Sequence, residues 1–173
     1  MPEVAKFSTI ETMRDGRRVE IRALRHEDRN GLEEAVSRAS AESLRRRFFS
    51  LRRHFSEQEM EFFSNIDFVS HVALVVVAEE GGRPVIVGGG RYIVLEPGRA
   101  EVAFALIDEY QGQGIGAALM RHLAAIARDA GLKELIAEVL PENTAMVKVF
   151  KKGGLHPTTR READIMHVTL QLF

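Results

Sequence analysis

The apolar positions of this chain change period several times, and each change marks an element. Val19, Ile21 and Ala23 alternate with polar neighbours, which predicts a strand over residues 19–24. Leu32, Ala35, Val36 and Ala39 then recur at helical spacing within 26–39. Leu44, Phe48 and Leu51 form a second apolar stripe over 43–53, and Ser56 with Glu59 makes a capping-box signature for a helix over 57–64. Residues 71–79 are rich in valine and read as a buried strand. Two further strands are predicted over 85–95 and 100–107, after the turns Gly81-Gly82-Arg83-Pro84 and Glu96-Pro97-Gly98-Arg99. Gly88-Gly89-Gly90 interrupts the first of these and predicts a bulge or a close backbone approach. Short connections make the three strands an antiparallel meander.

The period then returns to that of a helix. Ile115, Leu119, Leu123 and Ile126 share one face over 114–130, and Gly131 stands where a C-cap belongs. A short strand over 135–139, the turn Pro141-Glu142-Asn143, a helix over 144–152 and a strand over 163–172 complete the chain. Residues 1–17 show no period and read as a loose lead-in to one domain over 18–173. The predicted fold class is α+β: a mixed, mostly antiparallel central sheet with helices on both faces and one parallel crossover.

Composition narrows the function. The 173 residues suit a single core, and a formal net charge of -1 gives no general attraction to nucleic acid or to an anionic membrane. A cysteine nucleophile and a thiolate metal site are excluded, because there is no cysteine. The six histidines are scattered without ligand spacing, so no metal is expected. The longest apolar run, 72–78, is too short to span a bilayer, and residues 1–12 lack a signal-peptide core, so a cytoplasmic location is expected. The basic stretches Arg45-Arg46-Arg47 and Arg52-Arg53-His54 read as a solvated helix face; an acidic substrate or phosphate is the alternative. A homodimer is compatible with the sequence.

The chemistry begins at Gln111-Gly112-Gln113-Gly114-Ile115-Gly116, between a predicted strand and a predicted helix. Glycines let the backbone bend tightly and approach a ligand closely. The first helical turn leaves N–H groups without partners at the positive end of the dipole, where a phosphate fits. A plain tight connection would look the same. Gly112, Gly114 and Ala117 also satisfy a dinucleotide fingerprint, but that motif belongs after the first strand of a parallel repeat, not after an antiparallel meander.

The segment resembles the Gln/Arg-x-x-Gly-x-Gly/Ala motif of GCN5-related N-acetyltransferases, the GNAT family. Tyr110, Leu119, Leu123, Gly131-Leu132, Asn143, Phe150 and Gly154-Leu155 are similar to that family's pattern at its spacing. Ser40-Ala41-Glu42-Ser43-Leu44, Arg47-Phe48-Phe49-Ser50, Glu101-Val102-Ala103-Phe104 and Glu142-Asn143-Thr144-Ala145-Met146 resemble the Pat-type branch of bacterial protein lysine acetyltransferases. The resemblance implies that acetyl-CoA is the co-substrate and that an amine, on a protein lysine or a small molecule, is the acceptor. It implies that Leu106 and Ile107 offer backbone groups to the pantetheine arm, and that Gln111, Gly112, Gln113, Gly114, Ile115 and Gly116 hold the pyrophosphate. Asn143 is expected on the pantetheine, with Met146 and Phe150 flanking the thiol end.

Transfer from a thioester to an amine needs a group to take the amine's proton and donors for the oxyanion. Glu101 is the first candidate base: its strand parity groups it with Ala103 and Ala105, whose small side chains leave room for a substrate. The resemblance supports the same residue, Glu138 on the next strand is the second candidate, and a solvated strand-end carboxylate is the plain alternative. Many members of the family place a tyrosine, acting as general acid, where this chain has Phe150. Its absence keeps open a non-catalytic acyl-CoA-binding sensor beside the enzyme.

Overall fold

The structure is a computed structural model that describes residues 3–38, 57–58, 61, 65–139, 144–152 and 155–173. The expected helices over 43–53 and 57–64, and the basic stretches, fall wholly or largely outside them. Eight strands form one sheet: β1 (Ser8–Thr12), β2 (Arg18–Ala23), β3 (His71–Glu80), β4 (Arg83–Glu96), β5 (Arg99–Leu106), β6 (Glu134–Val139), β7 (Pro157–Glu162) and β8 (Ile165–Gln171). Their order is β1-β2-β3-β4-β5-β6-β8-β7. Every neighbouring pair is antiparallel except β5 and β6. The described helices are α1 (Arg29–Arg38), α2 (Ile115–Asp129) and α3 (Thr144–Lys152), with short 3-10 turns at Glu3–Lys6, His26–Asp28 and Asp108–Tyr110. This is the α+β architecture that the pattern predicts.

The alternating strand residues divide between two cores. Val72, Leu74, Val76, Val102 and Phe104 pack with Leu119, Leu123 and Phe150 on the α2 and α3 face. Ala73, Val75, Ile86 and Leu24 pack with Leu32 and Ala35 of α1 on the other. Ile115, Leu119 and Leu123 of the α2 stripe are therefore buried and Ile126 is half-buried, and the helix stops where Gly131 takes φ +87° and the Leu132 N–H donates back to the Ala127 carbonyl.

The lead-in expected over 1–17 contains β1 and a tight turn. Thr9 and Glu11 point inward while Ile10 is 58% exposed, so hydrophobic alternation runs opposite to burial and gives no strand signal. The C-terminal strand also differs from its expected bounds. Ala163 has φ +53° and sits in the turn between β7 and β8, so the strand begins at Ile165. β7 is almost wholly exposed and polar, which hides it from a hydrophobic pattern.

Gly88-Gly89-Gly90 produces both expected features. The register between β3 and β4 slips there: Val76 opposes Gly88 while Val77 opposes Ile86, which leaves Val87 bulged. A Cβ on Gly89 would stand 2.5 Å from the Leu74 carbonyl oxygen, which belongs to backbone and cannot yield. Gly89→Ala is therefore expected to lower unfolding stability by about 1–3 kcal/mol in a urea titration.

Between β2 and α1, Asp28 and Arg22 form a buried two-pronged ion pair at 2.8 and 2.9 Å. Asp28 also accepts the Arg25 N–H at 2.7 Å. Burial alone would raise the Asp28 pKa, but the Arg22 and Arg25 hydrogen bonds and charges bring it below the ordinary value. A lowered folded pKa stabilises the fold above the unfolded carboxyl's pKa of ~3.9 and is lost as pH falls below it. Asp28→Asn is expected to cost about 3 kcal/mol at neutral pH, because it leaves Arg22 buried without its counter-charge, and to flatten the acid limb of a thermal-unfolding pH series.

Candidate functional site

The site is built around a divergence of two strands. β5 and β6 pair in parallel only at Arg99–Glu134, Ala100–Leu135 and Glu101–Ile136. Both strands then continue, β5 to Leu106 along β4 and β6 to Val139 along β8. The sheet therefore opens into a wedge immediately beyond Glu101. The Ile107 N–H donates to the Val87 carbonyl of β4 at 2.9 Å. Ladder alternation then turns the main-chain groups of Phe104 and Leu106 the other way, towards the wedge.

The expected backbone groups at the strand end are only partly open. The Ile107 carbonyl accepts the Tyr110 N–H at 2.9 Å, so both main-chain groups of Ile107 are engaged. The Leu106 carbonyl accepts the Gln111 side-chain amide at 2.9 Å. What Leu106 presents to the wedge is its N–H.

The glycine segment lies past the end of β5. Gly112 has φ +76° and Gly114 φ +89°, both in the left-handed region that favours glycine. A Cβ on either would meet nothing within 4 Å, so both face open space. The first helical bond of α2 runs from the Ala118 N–H to the Gly114 carbonyl at 3.2 Å, and among the described residues the N–H groups from Gly112 to Ala117 have no backbone partner. Together with the helix dipole they form an anion-binding cradle. Gly116 serves packing as well, since a Cβ there would stand 3.2 Å from Val149 of α3.

Side chains from distant parts of the sequence hold this segment. Tyr110, 3% exposed, donates its hydroxyl to Glu80 at 2.6 Å. Glu80 also accepts two bonds from Arg38 at 2.8 and 3.1 Å, and Arg38 reaches Glu109 at 3.0 Å. These partners draw the Glu80 carboxyl below its usual pKa, Arg38 first and Tyr110 second. The Arg17 guanidinium lies 5.3 Å from the centre of the Tyr110 ring. From the β1–β2 turn, the Arg14 N–H donates to the Gln113 carbonyl at 3.2 Å and the Asp15 N–H to the Gln113 side-chain oxygen at 3.1 Å. Residues 13–17 were invisible as site residues, because their partners lie about a hundred positions away.

Glu101 is exposed, at the crotch of the wedge, on the α1 face of the sheet with Ala103 and Ala105. Ile93 and His71 continue its row across β4 and β3. His71 is 7% exposed and within 2.9 Å of Arg91. The Asp67 carboxylate fixes the start of β3, accepting from the N–H groups of Val69, Ser70 and His71 and from the Ser70 hydroxyl, which holds its pKa down at about 2. Glu138 lies two residues past the last paired position of β6, 3.8 Å from His167. Glu101 thus stands at the opening of the wedge, while Glu138 is engaged by His167 of β8.

Met146 is half-buried against the core, and Phe150 is 1% exposed, edge-on to Phe104 at 5.9 Å and 89°. Asn143 lies outside the described residues. The two tyrosines do not replace the absent one. Tyr92 is 1% exposed with its pKa pushed up to about 12 by burial, and Tyr110 is committed to Glu80.

Among the described residues no helix is long and apolar enough to cross a membrane. The model of the acetyltransferase (GNAT) family matches residues 38–154. The chain is 35% identical over 138 residues to an acetyltransferase of Pseudomonas aeruginosa, covering 79% of this chain and 74% of that protein. It is 35% identical over 119 residues to the acetyltransferase Pat of Mycolicibacterium smegmatis, covering 66% of this chain but only 34% of Pat. The crystal structure of the GNAT domain of S. lividans PAT superposes with a TM-score of 0.86 at 30% identity, covering 99% of both chains. The wedge, the amide cradle and these likenesses agree: the chain belongs to the GNAT family and is an N-acetyltransferase of Pat-type pattern.

Proposed function

We propose that this acetyltransferase takes acetyl from acetyl-CoA and transfers it directly to a primary amine, with Glu101 as general base. The observation that carries the reading is the cradle of unpartnered amides from Gly112 to Ala117, placed past the open wedge between β5 and β6. An anion in the cradle leaves an extended arm only one way to run, along the free edge of β5. There the N–H groups of Phe104 and Leu106 can hold it. The residues therefore fit acetyl-CoA, whose contribution is an activated thioester.

The acceptor enters from the α1 face, where Glu101, Ala103 and Ala105 lie. A primary amine has a reference pKa of ~10.4, so it arrives protonated and must lose a proton before it attacks. An exposed carboxylate beside the wedge takes that proton, directly or through one water. The similarity to Pat-type acetyltransferases supports protein lysine as the acceptor class, with a small amine as the alternative.

Three measurements test this. Calorimetry is expected to show acetyl-CoA binding, and no heat at millimolar co-substrate would overturn the reading. A thiol-release screen over lysine peptides and small amines is expected to find turnover, and binding without turnover on any acceptor would favour a sensor. Glu101→Gln is expected to lower kcat/KM at neutral pH by about 100-fold or more, with affinity for acetyl-CoA retained. The deficit should narrow as pH approaches the amine's own pKa. Full rate in this variant at neutral and high pH alike would remove Glu101 from the mechanism.

A further inference from the structure

The β1–β2 turn is docked against the cradle from outside the glycine motif. Its strand is fixed on α2: Glu11 lies 2.7 Å from His122 and 3.9 Å from Arg121, and the Phe7 ring packs on His122 at 5.2 Å. Its tip holds Gln113 through the Arg14 and Asp15 N–H groups. The Arg14 guanidinium, which is exposed, reaches the Gly112 carbonyl at 3.4 Å, a long contact for so strong a donor.

The other cations around this tip are matched, apart from the exposed Arg18 at the start of β2. Arg17 pairs with Asp15 at 2.9 Å, Arg38 with Glu80 and Glu109, and Arg121 with Glu11. Among the described residues Arg14 has no carboxylate partner. A planar cation with five donors, held by its own main chain beside a ring of unpartnered amides, is suited to phosphate oxygens.

We propose that Arg14 is a phosphate-binding residue of the acetyl-CoA site, contributed by the N-terminal hairpin rather than by the glycine motif. This rests on the acetyl-CoA reading above. Arg14 leaves the Gly112 carbonyl and closes on a phosphate of the bound molecule, while its N–H keeps Gln113 in place. The hairpin thereby takes part in donor affinity and stays remote from the transfer step.

The test is calorimetry with acetyl-CoA on wild type, Arg14→Gln and Arg14→Ala, each across a salt series. Glutamine removes the charge and keeps an amide donor on a shorter side chain, while alanine removes both. Both variants are expected to bind about tenfold more weakly, with kcat at saturating acetyl-CoA and the melting temperature unchanged. Wild-type affinity should fall more steeply with salt than that of either variant, a difference that a merely structural role would not produce. Repeating the series with 3′-dephospho-CoA locates the contact: a persisting deficit places it on the pyrophosphate, a vanishing one on the 3′-phosphate. Wild-type affinity and salt slope in Arg14→Gln would overturn the proposal while leaving the acetyl-CoA reading intact. Absence of binding by the wild type would overturn both.

Discussion

The architecture of the site depends on β5 and β6 sharing only three paired positions. Each strand is committed elsewhere. β5 follows β4 to Leu106, and β4 is held in place by the close approach of Gly89 to the Leu74 carbonyl and by the bulge at Val87. β6 follows β8 through Val139. Beyond Glu101 each of the two strands keeps its outer neighbour and loses the inner one. The wedge is the outcome, and it leaves backbone groups on a strand edge in the middle of a sheet. Such groups need partners from solvent or from a ligand, which is why an opening in this position reads as a binding site.

The same constraint sets the direction in which the proposed co-substrate would lie. The Ile107 main chain is spent on Val87 and Tyr110, so β5 ends in a defined turn, and Gln111 closes it by bonding back to Leu106. That turn delivers Gly112 and Gly114, in conformations suited to glycine, to the start of α2. A free strand edge and a helix N-terminus are thus joined by a few residues into one run of donors. The proposed base is placed by the other end of the same geometry: Glu101 is the last residue of β5 paired with β6, so it stands where the two strands part.

Much of this was legible in the residues, and the failures have physical causes. The valine-rich run located β3, and the stripe of Leu119 and Leu123 located α2, because in both cases burial and hydrophobicity coincide. The bulge and the close approach at Gly88-Gly89-Gly90 followed from what glycine lacks. β1 was hidden because its inward residues are Thr9 and Glu11 and its outward one is Ile10, and β7 because an exposed edge strand has no apolar side to display. The glycine motif revealed the cradle but not its supports. Arg14, Asp15, Glu80 and Arg38 meet it only through long-range pairing, which no local period encodes.

One chemical consequence separates this chain from members of its family that carry a tyrosine on α3. Phe150 occupies that position and is consumed by an edge-on contact with Phe104, deep in the core. Neither Tyr92, sealed under the sheet, nor Tyr110, bonded to Glu80, can swing into the wedge without breaking the fold around it. In the proposed mechanism the departing sulfur therefore takes its proton from water or leaves as thiolate. A thiol's reference pKa of ~8.5 makes that departure tolerable near neutrality, whereas the amine, near ~10.4, cannot attack while protonated. The asymmetry places the proton-transfer demand of the proposed mechanism on the acceptor side, where Glu101 would meet it.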